Sequence, residues 1–285
     1  MNAQKNVQQP DQKPTSTTQA RLHDGSIIPI EIYGDGPQAL LLPVNPTPIE
    51  GVAAETMRQY GADPALGQTL IHGVRDLVRV IAFDYEGFIR QHPKPETLTP
   101  ENVAADFLSV ADAAKANHFA YYGYSWLGMV GIQFALRTNR LSTLVIGGYP
   151  PIDGPYQEML AVTTIAYEMA ESTPSPDDEW STAGLSKAET KQYVTLYKAL
   201  QGFDDEAAQT ELTCNRICFV GSADEIDYTE HWGNIHVGLA NPMIERRQAL
   251  EEWGWQVHIL DGLDHMQAMQ AKHVVPILRS ALADL

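Results

Sequence analysis

Short apolar runs, each bounded by polar or glycine-containing turns, recur along the chain. Their length and their content of Val, Ile and Leu are typical of parallel strands that are buried on both faces. Segments with helical periodicity lie between the runs. This alternation predicts an α/β fold with helices on both faces of a mostly parallel sheet. The predicted strands are residues 39–44, 78–84, 119–122, 144–148, 216–221 and 256–260.

Helix and turn signals fit this interpretation. Thr99 is a typical N-cap residue and Pro100 suits the first helical position, so a helix is predicted over 100–116. An Asp24-Gly25 turn between two strand-like pieces predicts an opening β-hairpin over 21–33. Further helices are predicted over 126–137, 156–170, 187–200, 245–253 and 266–285.

Two segments depart from the alternation. Residues 1–19 are rich in Gln, Pro, Thr and Asn and contain little to bury, which predicts a disordered tail. Residues 152–212 contain helical patterns but no predicted strand. We interpret them as a small helical cap, with a polar loop at 171–178, inserted into an α/β core formed by 20–151 and 213–285.

Composition narrows the classes of partner. The 285 residues include 19 Lys and Arg against 36 Asp and Glu, a formal charge of 19 − 36 = −17. This excess of acid disfavours nucleic acid and anionic membranes as partners. No run approaches the roughly 20 apolar residues that span a bilayer, and the N-terminus lacks a secretory apolar core, so a cytoplasmic location is expected. Cys214 and Cys218, about 13 Å apart in a strand, are predicted to be buried thiols rather than a disulfide.

The segment 123–128, Gly-Tyr-Ser-Trp-Leu-Gly, contains the main candidate for catalysis. It lies where a predicted strand meets a predicted helix, with Ser125 at the turn. A serine on such a turn is exposed above the sheet, and the Trp126 amide and the helix N-terminus face developing negative charge. Ser125 is therefore the predicted nucleophile.

A serine nucleophile requires a base and an acid that orients the base. Asp224 follows a predicted buried strand, at the edge where ligands collect in open α/β sheets, and is the predicted orienting acid. Glu225 and Asp227 are alternatives. His265 follows the last predicted strand and is the predicted base, because the chain order of serine, acid and histidine then agrees with a known arrangement of the triad.

An oxyanion hole requires two backbone donors. The Trp126 amide is one candidate. The other is Asn45, in the loop Pro43-Val44-Asn45-Pro46, because Pro46 has no amide hydrogen. Tyr124 and Tyr149 are candidate substrate contacts. Asp227, Glu230, His231 and His236 are close in sequence, but the two histidines are five residues apart, so a solvated surface is favoured over a metal site.

These residues together resemble the α/β-hydrolase superfamily from about Ala20 to Leu285. The matching elements are the turn at 123–128, Asp84-Tyr85-Glu86-Gly87, and the segments 221–224 and 262–265. The resemblance implies an eight-stranded, mostly parallel sheet, a helical cap, and the roles given above to Ser125, His265, Asp224, Asn45 and Trp126. Two departures are Pro43-Val44 in place of the usual His-Gly, and Leu127 where Gly is common.

Asn45-Pro46-Thr47 with a tryptophan after the nucleophile also resembles haloalkane dehalogenases. Those enzymes need an aspartate at the turn, whereas this chain has Ser125, which favours acyl transfer chemistry. The sequence thus predicts a serine hydrolase acting on an ester, thioester or related acyl bond of a small molecule, without a metal or organic cofactor. Acyl transfer to another acceptor, carbon–carbon bond hydrolysis and a non-catalytic ligand-binding role are the alternatives. The oligomeric state stays open.

Overall fold

A computed structural model describes residues 13–172, 182 and 184–283. Its strands form an eight-stranded sheet and a two-stranded ribbon. The strands are β1 Ser16–Arg21, β2 Ile27–Tyr33, β3 Ala39–Leu42, β4 Arg79–Ala82, β5 Phe119–Tyr124, β6 Leu141–Gly147, β7 Asn215–Gly221, β8 Glu225–Asp227, β9 His236–Gly238 and β10 Trp255–Leu260. The sheet order is β1-β2-β4-β3-β5-β6-β7-β10, and the ribbon pairs β8 with β9.

The predicted mostly parallel sheet is confirmed. β1 and β2 form the expected hairpin, and β2 pairs antiparallel with β4. Every other pairing in the large sheet is parallel. All six predicted parallel strands are present, with ends that differ by up to three residues; β6, for example, begins at Leu141 rather than 144. The carboxyl ends of β5, β7 and β10 therefore lie at one edge of the sheet, where the predicted catalytic residues follow.

Helices cover both faces of the sheet. The helices are α1 Gly51–Gln59, α2 Leu66–Val74, α3 Tyr85–Gln91, α4 Pro100–Ala113, α5 Trp126–Ala135, α6 Tyr156–Met169, α7 Lys187–Ala199, α8 Asp205–Ala208, α9 Ala240–Glu245, α10 Arg247–Glu252, α11 His265–Ala268 and α12 Ala271–Ala283. Helices α4 and α5 pack on one face and α2 and α12 on the other, and each pair buries an apolar cluster against the strands. Within the described residues no helix is long and apolar enough to cross a membrane.

Several predicted boundaries are wrong. β1 begins at Ser16, so residues 16–19 belong to a strand rather than to the predicted disordered tail, because they pair with β2. The predicted helix 266–285 is two helices, α11 and α12. The predicted helix 245–253 is likewise divided between α9 and α10, and an ion pair joins Arg247 to Glu251 at 2.8 Å within α10. Residues 1–12 of the predicted tail, and 284–285, lie outside the described residues.

The segment 152–212 contributes α6, α7 and α8, and α6 packs against α7. Most of the predicted loop 171–178 lies outside the described residues. Helix α7 contacts the core through the loop that precedes α4. The Gln192 side chain accepts a hydrogen bond from the Lys94 amide at 3.1 Å, and the Thr195 hydroxyl donates to the Pro95 carbonyl at 2.6 Å. Cys214 and Cys218 are free thiols, as predicted. Cys218 is fully buried, whereas Cys214 is only partly buried.

Candidate active site

Ser125 lies at the turn between β5 and α5 with φ 56° and ψ −130°. A positive φ is rare for a residue with a side chain and is a form of backbone strain concentrated at functional sites. The Ser125 amide donates to the Gly147 carbonyl on β6 at 2.8 Å, and the Ser125 carbonyl accepts from the Gly128 amide at 2.8 Å. These bonds hold the strained turn on the sheet.

Small residues around Ser125 allow this turn to form. A Cβ atom at Gly123 would lie 2.3 Å from the Leu127 carbonyl oxygen, and one at Gly128 would lie 3.1 Å from the Gly147 oxygen. Leu127, which departs from the usual pattern, is buried, and its carbonyl accepts the Tyr121 hydroxyl at 2.8 Å. The close helix–strand contact thus falls at Gly128, one position later than the common motif.

Asp224 and His265 form a hydrogen-bonded pair. His265 Nδ1 lies 3.0 and 2.9 Å from the two carboxylate oxygens of Asp224. The Asp224 side chain is completely buried and that of His265 is 20% exposed. An ionised carboxylate only accepts hydrogen bonds, so the neutral ring carries its proton on Nδ1 and leaves Nε2 able to accept a proton. This is the tautomer that a general base requires.

The loops that carry these two residues are joined by backbone contacts. The Ser222 amide donates to Leu260 O at 2.9 Å, and the Ala223 amide donates to Leu263 O at 3.0 Å. A Cβ atom at Gly221 would lie only 2.0 Å from the Leu263 oxygen. Glycine is therefore needed for the end of β7 to approach the loop after β10, which brings Asp224 to His265.

Tyr124, a predicted substrate contact, joins the nucleophile turn to the His265 loop. Its hydroxyl donates to the His265 carbonyl at 2.7 Å, and the two rings have centroids 5.0 Å apart. Burial, assisted by the Asp224 charge, raises the pKa of Tyr124, so this hydroxyl stays protonated. Since the hydroxyl is occupied in this way, Tyr124 positions His265 within this structure.

The contact between the predicted nucleophile and the predicted base is not formed. Ser125 Oγ makes no hydrogen bond to His265 or to any other residue in the described part of the chain. Tyr124, the direct neighbour of Ser125, links the turn at Ser125 to the His265 loop. Catalytic hydrogen bonds are often long in unliganded enzymes and tighten when substrate binds.

The two predicted oxyanion donors have free amides. Trp126 is the first residue of α5, and its amide donates to no described residue; the same holds for the Asn45 amide after β3. The Asn45 side chain accepts from the Thr47 amide at 2.9 Å, which fixes the loop. Helix α2 also packs against this loop, because a Cβ atom at Gly67 would lie 2.0 Å from the Asn45 carbonyl oxygen.

Tyr149 lies in a buried layer beneath the helices of 152–212. Only 2% of it is exposed, and its ring packs against Tyr156 with centroids 6.1 Å apart. Tyr156 itself lines a cavity of about 500 Å³ together with Phe203 and His236, and Ser125 and His265 do not line it. The structure thus places Tyr149 away from solvent, whereas Tyr124 adjoins the candidate triad.

A cluster of side chains from three helices lies beside the turn at Ser125. The Trp126 indole nitrogen donates to Glu86 at 3.4 Å, and Glu86 pairs with Arg90 at 2.6 Å. The Tyr193 ring of α7 stands edge-on to Trp126, with centroids 5.6 Å apart. Residues from α3, α5 and α7 therefore meet beside Ser125. The Asp84-Tyr85-Glu86-Gly87 motif was the available signal, but it did not reveal the partner in α7.

The acids considered as alternatives have other partners. Asp227 accepts from His236 Nδ1 at 2.7 Å, and Glu225 lies 3.1 Å from His236 Nε2. The hydrogen bond that His236 donates to Asp227 is the main cause of the raised pKa of His236. Neither carboxylate is hydrogen-bonded to His265. Among the described residues, no group of three potential ligands is arranged to hold a metal ion.

Comparison with known proteins identifies the fold. No protein-family model and no curated protein matches the sequence. The structure is similar to a thermophilic esterase from Thermogutta terrifontis (17% identity, 94% of this chain and 98% of that chain, TM-score 0.57) and to an esterase from Exiguobacterium antarcticum (16%, 93% and 99%, 0.60). It is also similar to a meta-cleavage product hydrolase (15%, 94% and 98%, 0.57). The chain has the α/β-hydrolase fold.

Proposed function

We propose that this protein is a serine hydrolase that cleaves an ester, thioester or related acyl bond of a small molecule. Ser125 is the nucleophile, His265 the base and Asp224 the orienting acid, while the amides of Asn45 and Trp126 hold the oxyanion. The observation that carries the proposal is the hydrogen bond between His265 Nδ1 and the buried Asp224 carboxylate, together with the positive φ of Ser125. The esterases with a similar fold support it.

In this mechanism substrate binding brings Ser125 Oγ within reach of His265 Nε2. The serine oxygen attacks the acyl carbon while Nε2 takes its proton, and the imidazolium is stabilised by Asp224. The free amides of Asn45 and Trp126 donate to the oxyanion, each worth about 10²- to 10³-fold in rate. His265 then protonates the leaving group, and water, activated by the same base, hydrolyses the acyl-enzyme. No metal or organic cofactor takes part.

The helices of 152–212 act as a cap over this site. Tyr193 of α7 reaches the core at Trp126, next to the nucleophile, so the cap forms one wall of the acyl site. Tyr124 contacts substrate through its ring, while its hydroxyl positions His265. Tyr149 acts indirectly, because its burial against Tyr156 places it under the cap.

The test is a panel of p-nitrophenyl esters of increasing acyl length with the wild type and Ser125→Ala. Ser125→Ala is expected to keep the fold and to lose turnover by at least about 10⁴-fold. Fluorophosphonate labelling followed by peptide mapping should place the adduct on Ser125. An active Ser125→Ala variant would refute the role of the serine, and absence of an adduct would favour a binding protein on this scaffold.

Carbon–carbon bond hydrolysis is the second candidate, because one of the similar structures is a meta-cleavage product hydrolase. Acyl transfer uses the same triad. Product analysis distinguishes the reactions: an ester hydrolase releases free acid whether or not an alcohol or amine is added, while a transferase yields acylated acceptor. Turnover of a vinylogous diketone with no turnover of any ester would favour carbon–carbon cleavage.

A further inference from the structure

Outside the proposed triad, hydrogen bonds join a second set of a hydroxyl, an imidazole and a carboxylate. His23 Nε2 is 3.0 Å from Thr97 Oγ1, and His23 Nδ1 is 3.0 Å from each carboxylate oxygen of Asp106. His23 lies in the turn after β1, Thr97 in the loop before α4, and Asp106 within α4. Here, unlike at Ser125, the contact between hydroxyl and imidazole is formed.

The surroundings of Asp106 determine which atoms carry protons. Its carboxylate is completely buried and accepts the His23 amide at 2.7 Å and the Tyr85 hydroxyl at 2.8 Å. Burial and the Asp106 charge raise the pKa of Tyr85, which therefore remains a donor. Because the carboxylate only accepts, the neutral His23 ring carries its proton on Nδ1. Nε2 is then an acceptor, and the Thr97 hydroxyl donates to it.

Solvent exposure decreases from the hydroxyl to the imidazole to the carboxylate, which is the order that a reactive hydroxyl needs. Thr97 is exposed at the surface, the His23 side chain is 12% exposed, and Asp106 is buried. A reagent from solvent meets the hydroxyl first, with the base behind it and the charge deepest. This is the order of groups that activates a weak alcohol nucleophile.

We propose that Thr97 is an acyl-acceptor site, modified by small activated acyl compounds such as aryl esters or acyl phosphates with His23 as base. Thr97 Oγ1 forms a bond to the acyl carbon while its proton passes to His23 Nε2. The bond from the acyl carbon to the leaving group breaks, and the leaving group departs with the electron pair and is protonated by His23 or water. The products are a threonine ester and the free alcohol or acid.

The neighbouring amides make this modification stoichiometric rather than catalytic. The amides of Thr97 and Leu98 both donate to the Lys94 carbonyl, that of Thr99 donates to Thr97 O, and that of Asn102 donates to the Thr99 hydroxyl. These donors are not available to an oxyanion, and each missing donor costs about 10²- to 10³-fold in rate. The ester on Thr97 therefore forms slowly, from activated donors only, and persists.

The test uses the full chain with Ser125→Ala, which removes the proposed catalytic nucleophile, and p-nitrophenyl acetate as probe. Peptide mass spectrometry is expected to find Thr97 acetylated at least ten times faster than Thr56. Thr56 is an internal control, since it is also exposed but its hydroxyl donates to the Val52 carbonyl rather than to an imidazole. This comparison needs no further substitution and does not depend on the proposed function.

Two further variants test the role of the base. Adding Thr97→Ser should preserve acetylation at this position, whereas adding His23→Gln should reduce the rate to that of Thr56. Equal rates at Thr97 and Thr56 in the Ser125→Ala protein would overturn the proposal. So would an unchanged rate with His23→Gln in a variant whose circular dichroism and thermal unfolding match the parent.

Discussion

Asp224 is the proposed orienting acid for His265. Its side chain is fully buried, its amide donates to Gly221 O at 3.0 Å, and its carbonyl accepts the amides of Leu239 and Ala240. These bonds fix the backbone at Asp224 independently of the imidazole. A substitution that keeps the size of the side chain should change the chemistry and leave the fold intact.

Asp224→Asn is expected to lower kcat by about 10⁴-fold, because the amide can donate to Nδ1 and so favour the wrong imidazole tautomer. Ester hydrolysis over a pH range measures this effect. Asp227→Asn is the matched control: Asp227 is an exposed acid that pairs with His236, and its loss should leave kcat within about twofold. If the two variants had equal activity, Asp224 would not be the orienting acid.

At the scale of elements, the site depends on how closely the ends of β7 and β10 approach. Gly221→Ala places a Cβ atom 2.0 Å from Leu263 O, a backbone atom that cannot rotate away. The loops must separate, so we expect kcat to fall at least tenfold and the melting temperature to fall by several degrees. Gly262→Ala, in the facing loop after β10, is the control, since nothing lies within 4 Å of its Cβ and only the positive φ opposes it, at about 1 kcal/mol.

The turn between β1 and β2 is tied to the loop before α4 by a buried ion pair of Asp24 and Lys94. The Lys94 side chain is completely buried and that of Asp24 is 30% exposed. Asp24→Asn leaves the buried Lys94 ammonium without a carboxylate partner, with the Ser26 hydroxyl at 3.2 Å as its remaining acceptor, and urea unfolding at pH 7 should show a loss of about 3 kcal/mol. Glu96→Gln, which removes the partner of the exposed Lys191, should cost far less, because solvent screens an exposed pair. Adding Lys94→Met to Asp24→Asn should recover part of the loss.

The same pair makes stability depend on pH. Burial alone would raise the pKa of Asp24, but hydrogen bonds from Lys94 and Ser26 outweigh it and hold the pKa well below its ordinary value of 3.8. A depressed pKa contributes stability that is present above the unfolded value and is lost as pH falls. The free energy of unfolding of the wild type should therefore decline below about pH 4 more steeply than that of Asp24→Asn. Parallel curves would refute this contribution.

The sequence predicted the elements whose pattern is local. The parallel strands were recognisable because strands buried on both faces are continuous apolar runs, and α4 because Thr99 caps it and Pro100 begins it. The break between α11 and α12 near Gln270 was missed. Its side-chain oxygen accepts the Asp63 amide at 3.0 Å, a tertiary contact across 207 residues. Such contacts have no periodicity that a sequence pattern can reveal.

The candidate triad followed from the sequence because each member comes directly after a parallel strand, and those ends share one edge of the sheet. The His23–Asp106 pair joins a turn and a helix 83 residues apart, outside that rule, so no pattern indicated it. Contacts of Trp126 with Glu86 and Tyr193 were missed for the same reason. Strand order thus predicts which residues share an edge, whereas side-chain packing decides which of them touch.

At the scale of the whole molecule, the net charge of −17 acts on every charged ligand that approaches. Repulsion between this field and an anionic substrate slows encounter and is screened by salt. The screening length falls from about 30 Å at 0.01 M to about 8 Å at 0.15 M ionic strength, so the repulsion is strong only at low salt concentration. A neutral substrate of the same size is not repelled by this field.

We therefore expect kcat/KM for a p-nitrophenyl ester with a carboxylate-bearing acyl chain to rise severalfold between 0.01 and 0.15 M NaCl, because screening removes the repulsion. The neutral methyl ester of that acyl chain is the matched control and should change by less than about 1.5-fold. Initial rates at low substrate concentration measure both. An anionic ester whose rate falls with salt would instead locate a cationic group such as Arg90 at the acyl site, where its local field outweighs that of the whole surface.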